Sequence, residues 1–115
     1  MIVCFSLAVG ACGGPGVQQV PAAIPGAPEV VITATEMRFS PAEVTLPSDK
    51  VNLTLRNDGG LPHDLTIPAL HVYMVAQPGQ SISTGLHDLP KGKYMPYCGI
   101  QGHADAGMRM ILTVE

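Results

Sequence analysis

The sequence predicts an all-β domain, an antiparallel sandwich or barrel of seven to eight short strands. Short segments that are rich in β-branched residues, or that alternate apolar and polar residues, are separated by Gly, Pro, Asn and Asp, which favour turns. No stretch of ten or more residues sustains a helical period. Evenly spaced strands of this kind are typical of sandwiches and barrels. We place the domain at residues 29–115.

Four strands are predicted in the first half of this domain. In chain order they are residues 30–35, 42–46, 51–56 and 64–67. The first is rich in Val, Ile and Thr, which favour an extended backbone. The third alternates apolar and polar residues, as a half-buried strand does. We expect residues 37–41 to turn the chain between the first two strands, and the Gly-rich segment 57–60 ends the third.

Four more strands are predicted in the second half, at residues 72–76, 80–84, 93–97 and 110–114. Pro78 and Gly79 separate the first two of these strands, because proline and glycine interrupt regular structure. The third strand runs directly into Cys98, and Met108 stands just before the fourth. A short loop between two strands therefore joins Cys98 to Met108.

Length and charge limit the function classes. The chain has 115 residues, which is enough for one domain, and a formal net charge of −3 with neutral histidines. Nucleic-acid binding needs basic patches, so this mild acidity argues against it.

The segment at residues 1–12 resembles a bacterial export signal. Its apolar run is about ten residues long, which is too short for an ordinary membrane span but suits a signal-peptide core. Gly10 and Ala11 precede Cys12 as in the lipobox of bacterial lipoproteins, so we expect a lipid on Cys12. No basic residue precedes the run, and a frayed apolar tail on a soluble protein is the alternative.

Residues 13–28 are predicted to be a linker. The segment is rich in Pro and Gly and carries no charge, so it lacks the residues needed to build a core. With a lipid on Cys12, this linker would tether the domain to a membrane. The expected location is therefore periplasmic or extracytoplasmic, with the protein anchored as a lipoprotein.

Cys98 is the only cysteine in the predicted domain, because Cys4 and Cys12 lie before it. An exported protein with one thiol has no internal disulfide partner for it, and metal binding would explain its presence. His103 and Met108 follow Cys98 at intervals of five residues. A thiolate, an imidazole and a thioether on one loop are donors that a blue-copper site uses.

A site of this type needs a second imidazole. His63 is the best placed of the remaining histidines, because it follows a Gly-rich turn and precedes a strand. Two loops at one end of a sandwich can converge on a single ion while the sheets hold them in place. His71 and His87 have no thiol or second histidine at ligand spacing, and we interpret both as loop or surface residues.

These residues resemble the cupredoxins, the family of small type 1 blue-copper proteins. Three segments carry the resemblance: residues 39–46, residues 57–64 and residues 94–108. The Cys-x4-His-x4-Met spacing is closest to that of auracyanin and rusticyanin. The resemblance implies a cupredoxin-like Greek-key sandwich in which His63, Cys98 and His103 are the strong copper ligands and Met108 the weak axial one. Met110 lies two residues further on and is the alternative axial ligand.

The resemblance also implies a function. It predicts a single-electron carrier with one type 1 copper ion, no enzymatic activity of its own, and redox partner proteins that dock transiently near His103. Apolar residues beside the proposed ligands would form the docking patch, and the protein is expected to be a monomer. One departure from the family is Asp64, where many members have Asn after the first histidine; its charge would favour copper(II).

Three other interpretations of the same residues remain. The first is an extracytoplasmic copper carrier or delivery protein, although a Cys-His-His set suits retention of the ion better than its exchange. The second is a zinc site with the same three ligands. The third is a thiol enzyme with Cys98 as nucleophile, His103 as base and Asp64 as orienting residue. Nothing in the sequence suggests the oxyanion site that such an enzyme needs.

Overall fold

The computed structural model describes residues 18–115. Residues 1–12 with Cys12, and the first part of the predicted linker, lie outside this range. Nine strands are present among the described residues. They are β1 (Glu29–Thr35), β2 (Arg38–Ser40), β3 (Glu43–Leu46), β4 (Lys50–Asn57), β5 (His63–Ile67), β6 (Val72–Ala76), β7 (Ser81–His87), β8 (Gly92–Tyr94) and β9 (Ile111–Val114). A 3-10 turn, Pro68–Leu70, joins β5 to β6.

The strands form three hydrogen-bonded groups. One sheet has the order β2-β1-β4-β7, a second has the order β3-β9-β8, and β5 pairs with β6 as a two-stranded ribbon. Tyr97 bridges Thr66 of β5 on one side and Arg109 on the other, which connects the ribbon to the segment that leads into β9. The predicted all-β sandwich is confirmed.

Strand number and direction differ in detail from the sequence prediction. The ninth strand is β2, where we expected only a turn, and its Phe39 is buried against the core. Two pairs are parallel, β1 with β4 and β3 with β9, while the other ladders are antiparallel. A mixed sandwich results, because β1 pairs with β4 in addition to its hairpin neighbour β2, and β3 pairs with the distant strand β9.

The core lies between the sheets and is almost entirely aliphatic. Inward positions of β1, β4, β5, β6 and β9 are fully buried, as expected where side chains alternate between the two faces of a strand. Examples are Ile32, Leu53, Leu65, Met74 and Leu112, all at 0% exposure. This core holds the ends of β5 and of the Tyr97 segment in fixed positions, and the chemistry lies at those ends.

Residues 18–28, which we call the N-terminal strap, are hydrogen-bonded to the sheets. The Gln18 side chain donates to Tyr73 O at 2.8 Å and accepts from Val75 N at 2.8 Å. Ile24 and the Asn52 side chain exchange two hydrogen bonds, at 2.7 and 2.9 Å. The described part of the predicted linker therefore lies along β4, β6 and β7. Within residues 18–115 no helix has the length and apolar character needed to cross a membrane.

Candidate metal centre

Three of the four predicted ligands meet at one point in the structure. His63 is the first residue of β5, Cys98 follows the Tyr97 bridge, and His103 lies in the loop beyond. Their ligand atoms all lie within 4.8 Å of one another. His63 and Cys98 are 0% exposed and His103 is 8% exposed. The site is thus a buried cluster of one sulfur and two imidazoles.

The Cys98–Met108 loop holds His103 by its own hydrogen bonds. His103 N donates to Ile100 O, and the His103 carbonyl accepts from Met108 N, both at 3.0 Å. Gly102 and Gly107 have φ values of +85° and +107°, a region that glycine enters without steric cost. These two glycines let the chain reverse tightly on either side of His103, so the imidazole is aimed back towards Cys98.

The three donor side chains lie close to one another. Cys98 Sγ lies 3.4 Å from His103 Nδ1. The imidazole rings of His63 and His103 have centroids 5.1 Å apart and are tilted by 57°. Two imidazoles and a thiolate side chain thus face a common centre from two different loops.

The Cys98 sulfur receives one backbone hydrogen bond from β5. Asp64 N donates to Cys98 Sγ at 3.3 Å. Burial raises the pKa of the Cys98 thiol, and the backbone N–H groups of Asp64 and Ile100 partly oppose that rise. A cation at this position would favour the thiolate, which is the form that binds metals.

Asp64 ties the two ligand loops together. Its Oδ1 atom accepts a hydrogen bond from Gly99 N at 2.6 Å and another from the Thr66 hydroxyl at 2.9 Å. The side chain is buried, at 3% exposure. The carboxylate thus joins the residue after His63 to the residue after Cys98, and the two ligands are held in a fixed relation.

Met108 and Met110 are both buried, at 0% and 3% exposure. Cys98 N donates to Met108 O at 3.1 Å, and Met110 N donates to Pro96 O at 3.0 Å. Because Tyr97 pairs with Arg109, Met108 lies directly opposite Cys98 and Met110 opposite Pro96. Facing residues of an antiparallel pair point to the same side, which favours Met108 as the neighbour of the Cys98 sulfur.

The remaining histidines lie apart from the cluster. His71 is exposed and ends the short 3-10 turn with a φ of +56°. His87 is exposed at the end of β7, where its Nδ1 atom lies 3.0 Å from the Asp88 carboxylate. Neither belongs to the group of ligand atoms, as the sequence predicted.

One residue of the site was missed by the sequence analysis. The Glu36 carboxylate lies 2.8 Å from His63 Nε2. It is 27 residues away from His63 in the chain, in the turn between β1 and β2, and belongs to no ligand motif. Only the packing of that turn against residues 59–63 brings it to the histidine.

The residues present fit a copper ion. His63 Nδ1 is buried and has no hydrogen-bond partner among residues 18–115, an arrangement that is rare for a buried polar atom and is explained if the atom binds a metal. A Cys-His-His set with a nearby thioether is the donor combination of blue-copper sites. The cluster therefore fits a single type 1 copper ion, held by a sulfur and two imidazole nitrogens.

Comparisons with known proteins agree with this chemistry. The family model of the cupredoxin-like domain matches residues 7–114. No curated protein matches the sequence significantly.

Solved structures share the fold. Dithionite-reduced auracyanin from Roseiflexus castenholzii superposes with a TM-score of 0.67 at 18% identity, over 78% of this chain and 99% of its own. Auracyanin B gives a TM-score of 0.66 at 21% identity, over 86% and 93% of the two chains. A copper-containing nitrite reductase from Thermus scotoductus gives 0.62 at 21% identity, over 77% of this chain but only 28% of the reductase. The match of the family model over nearly the whole sequence decides the assignment: the chain belongs to the cupredoxin-like domain family.

Proposed function

We propose that this protein is a single-electron carrier with one type 1 copper ion. In this proposal His63, Cys98 and His103 are the strong ligands and Met108 is the weak axial ligand. The observation that carries the proposal is the buried cluster of three donor atoms within 4.8 Å. Bound copper supplies the one-electron change between copper(I) and copper(II), and the chain holds the ligands.

Burial of the donors supports a carrier of electrons more than a carrier of copper. His63 and Cys98 are fully buried, and His103 is nearly so. A delivery protein must pass its ion to a partner, which needs donors that the partner can reach. Here the ion would be enclosed by side chains, whereas an electron can pass through the His103 ring without any ligand leaving.

Rigidity of the ligand loops also suits electron transfer. Copper(I) and copper(II) prefer different geometries, so a site that barely moves keeps the rearrangement at each transfer small. Asp64 bonds both to the Cys98 sulfur and to the Gly99 backbone, and the loop around His103 is closed by backbone hydrogen bonds. These contacts hold the donors in place without needing the metal.

In this proposal, electrons pass between the copper site and the protein surface through the His103 imidazole. It is the most exposed of the three donors, at 8%, and exposed or half-buried apolar residues occur on both ligand loops, with Leu61 on one and Ile100 on the other. A redox partner that docks transiently over this edge would come within electron-transfer reach of the imidazole.

The proposed location is the outer face of the cytoplasmic membrane. It depends on the lipobox-like residues before Cys12, where a lipid would anchor the domain in the periplasmic or extracytoplasmic space. Mass spectrometry of the mature N-terminus tests this part independently: a diacylglyceryl cysteine at position 12 is expected, and an unmodified Met1 would contradict it.

The copper proposal is tested by adding copper(II) to the purified protein and recording its visible spectrum. Charge transfer from thiolate to copper should give an intense blue or green band. Cys98→Ser should abolish the band, because it removes the thiolate. His87→Ala is the matched control, since it deletes an exposed histidine outside the cluster and should leave the band unchanged. A wild-type protein that binds copper without colour would refute the proposal.

A further inference from the structure

Glu36 contacts the site from outside the ligand set. One carboxylate oxygen, Oε1, lies 2.8 Å from His63 Nε2. Gly60 N donates to both oxygens, at 3.1 and 2.9 Å. The carboxylate is therefore fixed by a backbone N–H on one side and contacts the imidazole on the other, although its side chain is 41% exposed.

Gly59 makes room for this contact. A Cβ atom at position 59 would overlap the Glu36 carboxylate and would lie 3.2 Å from His63 Nε2. The absence of a side chain at this position thus allows Glu36 to approach the histidine. The Gly-rich turn before His63 therefore has a steric role at the site in addition to ending β4.

The contact fixes which nitrogen of His63 carries the proton. A carboxylate can only accept a hydrogen bond, so Nε2 must be the N–H donor. In the neutral imidazole Nδ1 then carries no proton and offers a lone pair. It is the buried atom without a partner among residues 18–115, and in this tautomer it is free to bind a metal ion held between His63, Cys98 and His103.

Glu36 also brings negative charge to the site. The Glu36 side chain is 41% exposed to water, and an exposed glutamate is an anion at neutral pH. This charge lies one hydrogen bond from a proposed ligand, where it stabilises the more positive copper(II) relative to copper(I).

We propose that Glu36 is a positioning residue of the copper site, which orients His63 through Nε2 and lowers the reduction potential by its charge. The inference rests on the proposed function, since it assigns a role to Glu36 toward the same ion. Outer residues that fix a ligating histidine in this way commonly contribute about 10–100-fold to metal affinity.

The charge is tested by the reduction potential of the copper-loaded protein. Glu36→Gln keeps an oxygen that can accept the Nε2–H bond but removes the charge, so the blue band should persist while the potential shifts upward. Asp105→Asn is the matched control, because it removes one exposed carboxylate on the ligand loop that has no hydrogen bond to a ligand. A potential for Glu36→Gln no higher than that of Asp105→Asn would overturn the proposal.

The orientation is tested in the metal-free protein by ¹⁵N NMR of the imidazole rings. Wild type and Glu36→Gln should show His63 as the Nε2–H tautomer alone. Glu36→Ala should show both tautomers in exchange and should retain copper about 10–100-fold less tightly. A fixed Nε2–H tautomer in Glu36→Ala would overturn the positioning role.

The two proposals fail in different ways. Colourless copper binding by wild type refutes the electron carrier, yet the tautomer result in metal-free protein still decides whether Glu36 orients His63. A normal blue band in wild type, together with unchanged potential and tautomer in the Glu36 variants, refutes only the role of Glu36.

Discussion

Met108 and Met110, the two candidates for the axial ligand, differ in the residue that each faces. Met108 and Met110 are almost equally buried and only two residues apart. Pairing separates them, because Met108 lies across from Cys98 and Met110 across from Pro96. This register favours Met108 over Met110 as the thioether beside the Cys98 sulfur.

Replacement of these residues one at a time is therefore informative. Met108→Leu should keep the blue band, since the axial ligand is weak, but should raise the reduction potential because a thioether that stabilises copper(II) is lost. Met110→Leu is the matched control and should leave the potential unchanged. Spectra and voltammetry of both variants check this. The reverse outcome would identify Met110 as the axial ligand.

At the scale of elements, the N-terminal strap is the least expected part of the structure. It lies within the segment predicted to be a linker, and its backbone and side-chain amide groups are hydrogen-bonded to the sheets. Gly85 of β7 allows its close approach, because a Cβ there would lie 2.5 Å from Ala22 O and 2.7 Å from the Ile24 side chain. Gly85 N and the Thr84 hydroxyl both donate to Pro21 O. The strap thus covers the β7 edge of the four-stranded sheet.

Gly85→Ala should displace the strap. We expect a loss of about 1–3 kcal/mol in the free energy of unfolding, typical of an overpacked contact, and faster hydrogen exchange at the Ile24 amide. Gly60→Ala is the control, because its Cβ would meet only Glu36 Oε2 at 3.6 Å. Urea titration and exchange measurements check both variants. Equal stability of Gly85→Ala and wild type would show that the strap does not pack tightly here.

Local sequence patterns predicted the positions of the strands better than they predicted which strands pair with each other. The alternation of apolar and polar residues at 51–56 predicted β4, and the β-branched run at 30–35 predicted β1. Strand β2 was missed because it has three residues and one buried side chain, Phe39, and forms only by pairing with β1. The parallel ladders were missed for the same reason, since pairing between distant strands leaves no periodic pattern in either strand.

In the candidate site, too, the residues within one local motif could be predicted, whereas a contact between distant segments could not. Cys98, His103 and Met108 share one loop, so their spacing was visible in the sequence, and His63 could be chosen by its turn. Glu36 could not be found in this way. Its carboxylate acts through a contact made by folding, and nothing in its neighbouring residues marks it as different from an exposed acid.

At the scale of the whole molecule, the proposed ligands and the positioning residue Glu36 come from both parts of the sandwich. His63 begins a ribbon strand, Cys98 follows a bridge between that ribbon and the segment leading to β9, and Glu36 comes from a turn of the four-stranded sheet. An unfolded chain lacks this arrangement. Copper should therefore bind the folded state much more tightly and stabilise it by mass action.

Copper is expected to raise the thermal midpoint. At a free ion concentration about 1,000 times the dissociation constant, the gain is about 4 kcal/mol, or roughly 15–30 °C for a domain of this size. Calorimetry with and without copper measures it, and a chelator should reverse it. Cys98→Ser should lose most of the gain. An equal rise in that variant would mean that copper binds elsewhere.

The Tyr97 bridge has a consequence for folding. Asp64 and Cys98 meet although 34 residues separate them in the chain, and the meeting requires Tyr97 to pair with Thr66. A partly folded chain could form its hairpins and still hold its thiol away from His63. The appearance of colour would then mark the moment at which the long-range pairing closes, so the site would serve as a built-in optical reporter of complete folding.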